Sequence, residues 1–141
     1  MKELVFWIRT KGEPIRLASY EEDSIMFELF ELFEFSQGTN EKILLCESAF
    51  TPLRDRLEYK KIVAAEIFKK VKKEREGLFH RDFKDIQEKM GALYDVAERE
   101  RKANLLIQEV DGAAGVINFL FSCIKDRTLE EKILFFEISE S

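Results

Sequence analysis

The sequence is poor in the residues that build disulfides and metal centres. Two cysteines and one histidine occur among 141 residues, and no Cys-x-x-C pair is present. Two cysteines cannot form a disulfide framework, and a zinc site would have to recruit carboxylates from unrelated segments. We therefore expect no metal and no cofactor. Cys46 and Cys123 each lie in an apolar run, which predicts two buried, unpaired thiols.

The sequence also lacks a long hydrophobic run. A membrane-spanning helix needs about 18 to 20 consecutive apolar residues, and no run approaches that length. Near the amino terminus, the apolar run Leu4 to Ile8 is ended by Arg9 and is too short for the core of a signal peptide. These features predict a cytoplasmic protein that does not contact membranes.

Positive charge is outweighed by negative charge. The net charge of −5 disfavours a nucleic-acid binder, because such proteins draw much of their affinity from neutralising phosphates. A basic protein partner fits this charge better. The thirteen phenylalanines outnumber three tyrosines and one tryptophan, and rings without a polar group belong in a core. With 45% hydrophobic residues, the chain has the size and composition of a single globular domain, residues 1–141.

Patterns typical of an active site are missing. His80-Arg81-Asp82 matches three letters of the protein-kinase catalytic loop, but neither a glycine-rich loop nor an Asp-Phe-Gly triplet accompanies it. Gly112 and Gly115 precede an apolar segment, yet the lysine and the serine or threonine of a phosphate-binding loop are absent. We therefore expect a protein that is not an enzyme.

The most distinctive stretch is Phe27 to Phe35, which repeats an aromatic, an acidic and an apolar residue three times. As a strand it would place glutamates on both faces among apolar side chains, which is costly. As a helix it keeps the glutamates within a stripe of about 120°. We therefore predict a helix from Tyr20 to Ser36, begun by a capping box of Ser19 and Glu22.

This predicted helix has one polar side and a wide apolar circumference. Its polar stripe consists of Glu21, Glu28, Glu31 and Glu34. Because the remaining circumference is apolar, we expect the helix to lie at the centre of the core. The acidic stripe is then either a solvated helix face or the binding site for a basic partner.

The remaining segments predict an α+β domain. Short apolar or alternating runs predict strands at Leu4 to Ile8, Ile15 to Ser19, Ile43 to Cys46 and Ile133 to Ile138, the first of them covered on both faces. Helical spacing predicts helices at Thr51 to Glu76, Asp82 to Val110 and Ala113 to Asp126. We expect about four helices packed on a small, mainly antiparallel sheet of about four strands. The short connection near Gly77 predicts a helical hairpin.

Two features of this hairpin leave alternatives open. The cluster Lys69 to Arg75 gives residues 51–76 a net charge of +4, against −5 before and −4 after them. It is either a basic patch for phosphate or an acidic partner or, as we favour, a solvated helix end complemented by acidic neighbours of the same fold. The apolar seam of the Asp82 to Val110 helix, which includes Ile86 and Met90, either packs within the monomer, as we favour, or forms a homodimer.

By elimination, the sequence predicts a non-enzymatic protein–protein interaction module. Small size, acidic balance and the missing catalytic patterns are typical of a stoichiometric inhibitor, such as a bacterial immunity or phage counter-defence protein. Such a protein would bind a basic partner through the predicted glutamate stripe. The alternative is a small-molecule-binding domain with a phenylalanine-lined apolar pocket between the predicted helix and the sheet.

Overall fold

The computed structural model describes residues 2–9, 12–31, 33, 43–125 and 133–140. Their strands and helices are β1 (Lys2–Arg9), β2 (Ile15–Glu21), α1 (Ile25–Phe30), β3 (Ile43–Leu44), α2 (Phe50–Leu78), α3 (Ile86–Lys125) and β4 (Ile133–Glu140). A short 3-10 helix, Glu47–Ala49, precedes α2. The predicted α+β class is confirmed, but the described residues form three α-helices rather than about four.

The four strands form one antiparallel sheet in the order β2-β1-β4-β3. Each predicted strand is present, although β3 contains only the first two of its four predicted residues. β4 pairs with β1 along its full length, from Lys2 opposite Glu140 to Arg9 opposite Ile133. The first and last strands in the chain therefore form the centre of the sheet.

One face of the sheet packs against α1 and forms an aromatic core. Phe6 of β1 and Phe136 of β4 are each 1% exposed, and Phe30 of α1 is fully buried. The ring centroid of Phe30 lies 5.0 Å from the centroid of each of the other two, with the rings edge to face. Such pairs add about 0.5 to 1.5 kcal/mol beyond the burial of apolar area. The described phenylalanines of the repeat therefore pack in the core, as predicted.

The phenylalanine helix begins later than predicted. It spans Ile25–Phe30, whereas Tyr20 and Glu21 belong to β2. Tyr20 pairs with Leu4 of β1 across the sheet. Tyr20 and Glu21, which the local pattern assigned to the first helical turn, therefore pair with the backbone of β1 instead. Of the predicted end of this helix, residues 32 and 34–36 lie outside the described part of the chain.

Ser24 caps this helix in place of Ser19. Its Oγ accepts a hydrogen bond from the N–H of Phe27 at 3.1 Å and donates one to the carbonyl oxygen of Glu21 at 2.7 Å. This cap satisfies a backbone donor that has no partner within the helix. The predicted capping box of Ser19 and Glu22 is wrong, because Ser19 lies inside β2.

The second helix lies within two residues of its predicted bounds at each end. α2 runs from Phe50 to Leu78, against a prediction of Thr51 to Glu76. Thr51 is therefore inside the first turn and is not the capping residue. Pro52 is tolerated there, because the N–H groups of the first turn have no partner within the helix. Gly77, the predicted stop, is the last residue but one.

The third helix replaces two predicted helices. α3 continues unbroken from Ile86 to Lys125, so the predicted break between Val110 and Ala113 is wrong. A glycine inside a helix costs about 1 kcal/mol relative to alanine, and burial of apolar side chains can offset that cost. Buried residues recur at helical spacing on both sides of Gly112, namely Val110, Ala113, Ile117 and Leu120. Asp126, the predicted last residue, lies outside the described residues.

The start of α3 is also displaced. The helix begins at Ile86 rather than Asp82. The carboxylate of Asp85 accepts a hydrogen bond from the N–H of Glu88 at 2.7 Å, and the carboxylate of Glu88 accepts one from the N–H of Lys84 at 3.3 Å. These reciprocal bonds resemble a capping box and stabilise the first turn.

The chain divides into two compact units. One consists of Met1–Leu57 and Ala113–Ser141, and the other of Glu58–Gly112. The sheet and α1 belong to the first unit, while α2 and α3 each contribute residues to both. The expectation of a single domain stays a prediction.

Within the unit Glu58–Gly112, α2 and α3 form the predicted antiparallel hairpin. Its buried seam repeats every seven residues, with Ala64, Val71 and Leu78 on α2 and Val96, Ala103 and Val110 on α3. Val71, Leu78 and Val96 form one cluster, against which Phe83, Ala92 and Leu93 pack. Seven-residue spacing keeps such a seam on the facing sides of two paired helices.

Ion pairs flank this seam at the end of the lysine-rich cluster. Nη1 of Arg75 donates to both carboxylate oxygens of Glu100, at 2.9 and 3.0 Å. Arg99 pairs with Glu74 at 2.5 Å. The cation at the end of the cluster is therefore neutralised by an acidic neighbour of the same chain, which agrees with the favoured interpretation at that residue.

Candidate functional site

The second face of the sheet is partly exposed to solvent, with Val5 and Glu137 buried at its centre, and it carries an apolar row. Cross-strand partners share a face, and the register places Leu44 opposite Phe135, Phe135 opposite Trp7, and Trp7 opposite Arg16. The apolar row therefore crosses β3, β4 and β1, and Arg16 continues it on β2. Leu44 is 53% exposed, and Phe135 and Trp7 are half-buried. We call this face the outer face, comprising Glu3, Val5, Trp7, Arg9, Arg16, Ser19, Glu21, Leu44, Phe135, Glu137 and Ser139.

Two polar bridges lie beside Val5 at the centre of the outer face. Nε1 of Trp7 donates a hydrogen bond to Oε1 of Glu137 at 2.8 Å. Arg16 donates one to Glu3, with which it also forms an ion pair. Long amphipathic side chains can cover apolar surface while their polar ends stay solvated. Val5, which lies beside both bridges, is 2% exposed.

Carboxylates outnumber cations on the outer face. The carboxylates belong to Glu3, Glu21 and Glu137, and the cations to Arg9 and Arg16. Arg16 is paired with Glu3, and the guanidinium carbon of Arg9 lies 5.5 Å from the ring centroid of Phe135. Glu137 is 8% exposed, and among the described residues its hydrogen bond comes from the neutral indole of Trp7. Aromatic rings beside a carboxylate are suited to binding cationic groups.

The sequence predictions did not include this partly exposed face. The continuous apolar run Leu4 to Ile8 predicted a strand covered on both faces, and Leu4, Val5 and Phe6 are buried as predicted. Trp7, in contrast, is only half-buried and shares a face with exposed charged residues. One available signal was Glu137, which interrupts the apolar run of the last strand. A carboxylate in a strand favours a face with polar or solvent contacts.

Of the predicted partner-binding glutamates that the structure describes, Glu21 does not share a helical stripe with Glu28 and Glu31. Glu21 is exposed at the end of β2 and lies on the outer face, opposite Glu3. Glu28 is half-buried on α1, and Glu31 is exposed at its C-cap. Glu34 lies outside the described residues. Glu21 is separated from Glu28 and Glu31 because β2 includes it, and the role of all four glutamates in binding stays a prediction.

A second exposed apolar surface lies on the hairpin. Ile86, Met90 and Tyr94 recur every fourth residue on one side of α3 and are 76%, 66% and 74% exposed. The heptad pattern assigned Ile86 and Met90 to the seam, which is wrong, because a row beginning at Val96 occupies it. A homodimer through the Asp82 to Val110 helix stays a prediction, for which this row is an available apolar surface.

The described phenylalanines pack against one another. Besides the contacts of Phe30, the rings of Phe6 and Phe136 lie 6.5 Å apart, and those of Phe33 and Phe136 lie 5.4 Å apart. Direct ring contacts of this kind favour a filled core over the predicted ligand pocket at the described residues.

The two cysteines are unpaired, as predicted, but they are not fully buried. Cys46 is exposed and Cys123 is half-buried. Sγ of Cys46 lies 3.2 Å from Oγ of Ser48, and a hydrogen bond donated by this hydroxyl lowers the pKa of the Cys46 thiol. The apolar neighbours of Cys46 predicted a buried thiol, and this prediction is wrong.

The described histidine, cysteine and carboxylate side chains do not form a metal-binding cluster. Among the described residues, no three or more histidine, cysteine, aspartate or glutamate side chains are grouped so that they could hold a metal ion. His80 is exposed in the connection between α2 and α3.

α3 passes a length-and-hydropathy test for a membrane-spanning helix. Its most apolar 18-residue window has a mean hydropathy of 1.2, and 22% of that window is buried. A single helix of this length and composition does not establish a membrane span, and the absence of membrane contact stays a prediction.

No protein-family model matches the sequence, and neither the curated proteins nor the solved structures contain a significant match.

Proposed function

We propose that this chain is a non-enzymatic protein-binding module with a basic partner. The observation that carries the proposal is the outer face, where Trp7, Phe135 and Leu44 form an apolar row beside carboxylates. Aromatic side chains are enriched in protein interfaces, and tryptophan is among the residues that most often dominate binding energy. Leu44 contributes exposed apolar surface at the end of the row.

Charge supports a basic partner. The chain has a net charge of −5, and Glu21 is exposed at the edge of the outer face. Complementary charge around an apolar centre accelerates association and selects among partners more than it raises affinity. Such a surface suits a stoichiometric inhibitor, and a bacterial immunity or phage counter-defence protein is one form of it.

The proposal is tested by affinity capture from the native source followed by mass spectrometry, comparing the natural chain with three variants. The outer-face variant is Glu21→Lys with Leu44→Ala. Its matched control is Glu58→Lys with Ile62→Ala, which changes an exposed glutamate and an exposed aliphatic residue on α2. The third variant, Glu28→Lys with Glu31→Lys, tests the α1 glutamates.

We expect the natural chain and the α2 control to capture the same basic protein, and the outer-face variant to lose it. Salt should weaken capture, because exposed charges are screened. Equal capture by all variants, or loss only in the α1 variant, would contradict the assignment to the outer face. Thermal unfolding of each variant separates lost binding from a lost fold.

A further inference from the structure

The most specific feature of the outer face is a fixed tryptophan beside a buried carboxylate. Trp7 and Glu137 lie on the two central strands, and their 2.8 Å hydrogen bond holds one edge of the indole against the carboxylate. Phe135 is directly opposite Trp7 and shares a face with Glu137, two residues further along β4. Two aromatic rings and one carboxylate are therefore neighbours on a single face.

The same face already holds a guanidinium group against an aromatic ring. The guanidinium carbon of Arg9 lies 5.5 Å from the ring centroid of Phe135, within the distance of a cation–π contact. Arg9 is exposed. A guanidinium group therefore already lies over one aromatic ring of this face.

Both cations of the outer face have contacts other than Glu137. On the outer face, Arg16 is paired with Glu3 and Arg9 contacts Phe135. Among the described residues, no cation pairs with Glu137. A planar guanidinium can stack on an aromatic ring while its N–H groups donate to a carboxylate, which an ammonium group does less well.

We infer that Trp7, Phe135 and Glu137 form a subsite for an arginine side chain of the basic partner. The guanidinium stacks on the rings and donates to the carboxylate oxygen of Glu137 that Trp7 does not use. This inference rests on the proposed function, because it names the group of the partner that the outer face recognises.

The single tryptophan of the chain allows a direct test, since its fluorescence reports Trp7 alone. A labelled peptide of eight arginines is titrated into the full-length protein, and peptide anisotropy and Trp7 fluorescence are followed together. A peptide of eight lysines is the comparison. We expect saturable binding of the arginine peptide, a matching change in Trp7 fluorescence, and clearly weaker binding of the lysine peptide.

Glu137→Gln is the decisive variant. The amide oxygen can still accept the hydrogen bond of the indole, so the change removes the charge and keeps the geometry. Glu140→Gln is the matched control, because it makes the same change of net charge on the same strand and lies on the opposite face. We expect Glu137→Gln to weaken arginine-peptide binding about tenfold and Glu140→Gln to leave it within about twofold. Phe135→Leu should also weaken it, because the ring is lost and apolar surface is kept.

The outcomes separate the subsite from the proposed function. If the arginine peptide binds but both glutamine variants weaken it equally, or if Trp7 fluorescence does not change, the subsite is overturned and binding of basic partners stands. Equal binding of the lysine peptide likewise overturns the selectivity for arginine. If neither peptide binds the natural protein, both the subsite and the basic-partner proposal fail. Circular dichroism checks that each variant is folded.

Discussion

At the scale of single residues, the largest influence on the pKa of Cys46 is the side chain of one neighbour, Ser48. The hydroxyl of Ser48 stabilises the thiolate and lowers the pKa of Cys46 below its ordinary value. A lowered pKa increases the thiolate fraction near neutral pH, and the thiolate is the nucleophile. Exposure allows reagents to reach it, whereas Cys123 is half-buried.

We therefore expect iodoacetamide to label Cys46 before Cys123 at neutral pH. Ser48→Ala should shift the midpoint of the rate against pH upwards, because the stabilising hydrogen bond is lost. At pH 7.5 the rate should fall by about two- to threefold. Peptide mass spectrometry at timed intervals measures both sites in one sample. An unchanged pH profile in Ser48→Ala would show that the hydroxyl does not stabilise the thiolate.

At the scale of elements, the burial of apolar residues in α3 outweighs the low helix propensity of two glycines. Gly112 and Gly115 lie inside a continuous helix, and a Cβ added at either position would meet nothing within 4 Å. Alanine lowers the entropy lost on folding and favours the helix. Nothing in the surroundings opposes that gain.

We expect Gly112→Ala and Gly115→Ala each to stabilise the protein by about 0.5 to 1 kcal/mol, measured by urea unfolding. Ala97→Gly, at an exposed position of the same helix, should destabilise it by a similar amount. If instead the chain turned at Gly112, as the sequence predicted, alanine there would be neutral or destabilising. The sign of the change therefore distinguishes one helix from two.

At the scale of the whole molecule, two helices link the two compact units covalently and without interruption. α2 passes from the first unit to the second at residues 57 and 58, and α3 passes back at residues 112 and 113. Helix formation is cooperative along a segment, so melting in one part of a helix reduces the stability of the rest.

We therefore predict a single unfolding transition. Val71→Ala, in the seam of the unit Glu58–Gly112, should destabilise the protein by about 1 to 3 kcal/mol through loss of buried apolar contacts. Because Trp7 lies in the other unit, its fluorescence reports whether that loss is shared. We expect the midpoint followed by Trp7 fluorescence to fall together with the midpoint followed by helical circular dichroism. Two separate midpoints would contradict the single-domain prediction.

Local patterns in the sequence determined the secondary-structure class of most segments. The apolar runs at Leu4 to Ile8 and Ile133 to Ile138 became strands because short runs rich in β-branched and aromatic residues suit a sheet. The span of α2 followed from helical spacing of apolar residues. The burial of the phenylalanine stretch followed from its wide apolar circumference.

Where a local pattern conflicted with contacts between distant residues, only the tertiary structure decided the outcome. Tyr20 and Glu21 fit a helix by local pattern, yet they pair with β1 and belong to a strand. The paired residues are too far apart in the sequence for one local pattern to include both. Gly112 is typical of a helix end, yet α3 continues through it, because apolar residues on both sides of Gly112 are buried. The outer face depends on β1 and β4 becoming neighbours across more than a hundred residues, so no local pattern could place Trp7 beside Glu137. The sequence by itself determined the segments and the core, because these depend on local periodicity and hydrophobicity. The candidate site was decided by strand order and register, because these depend on contacts between distant parts of the chain.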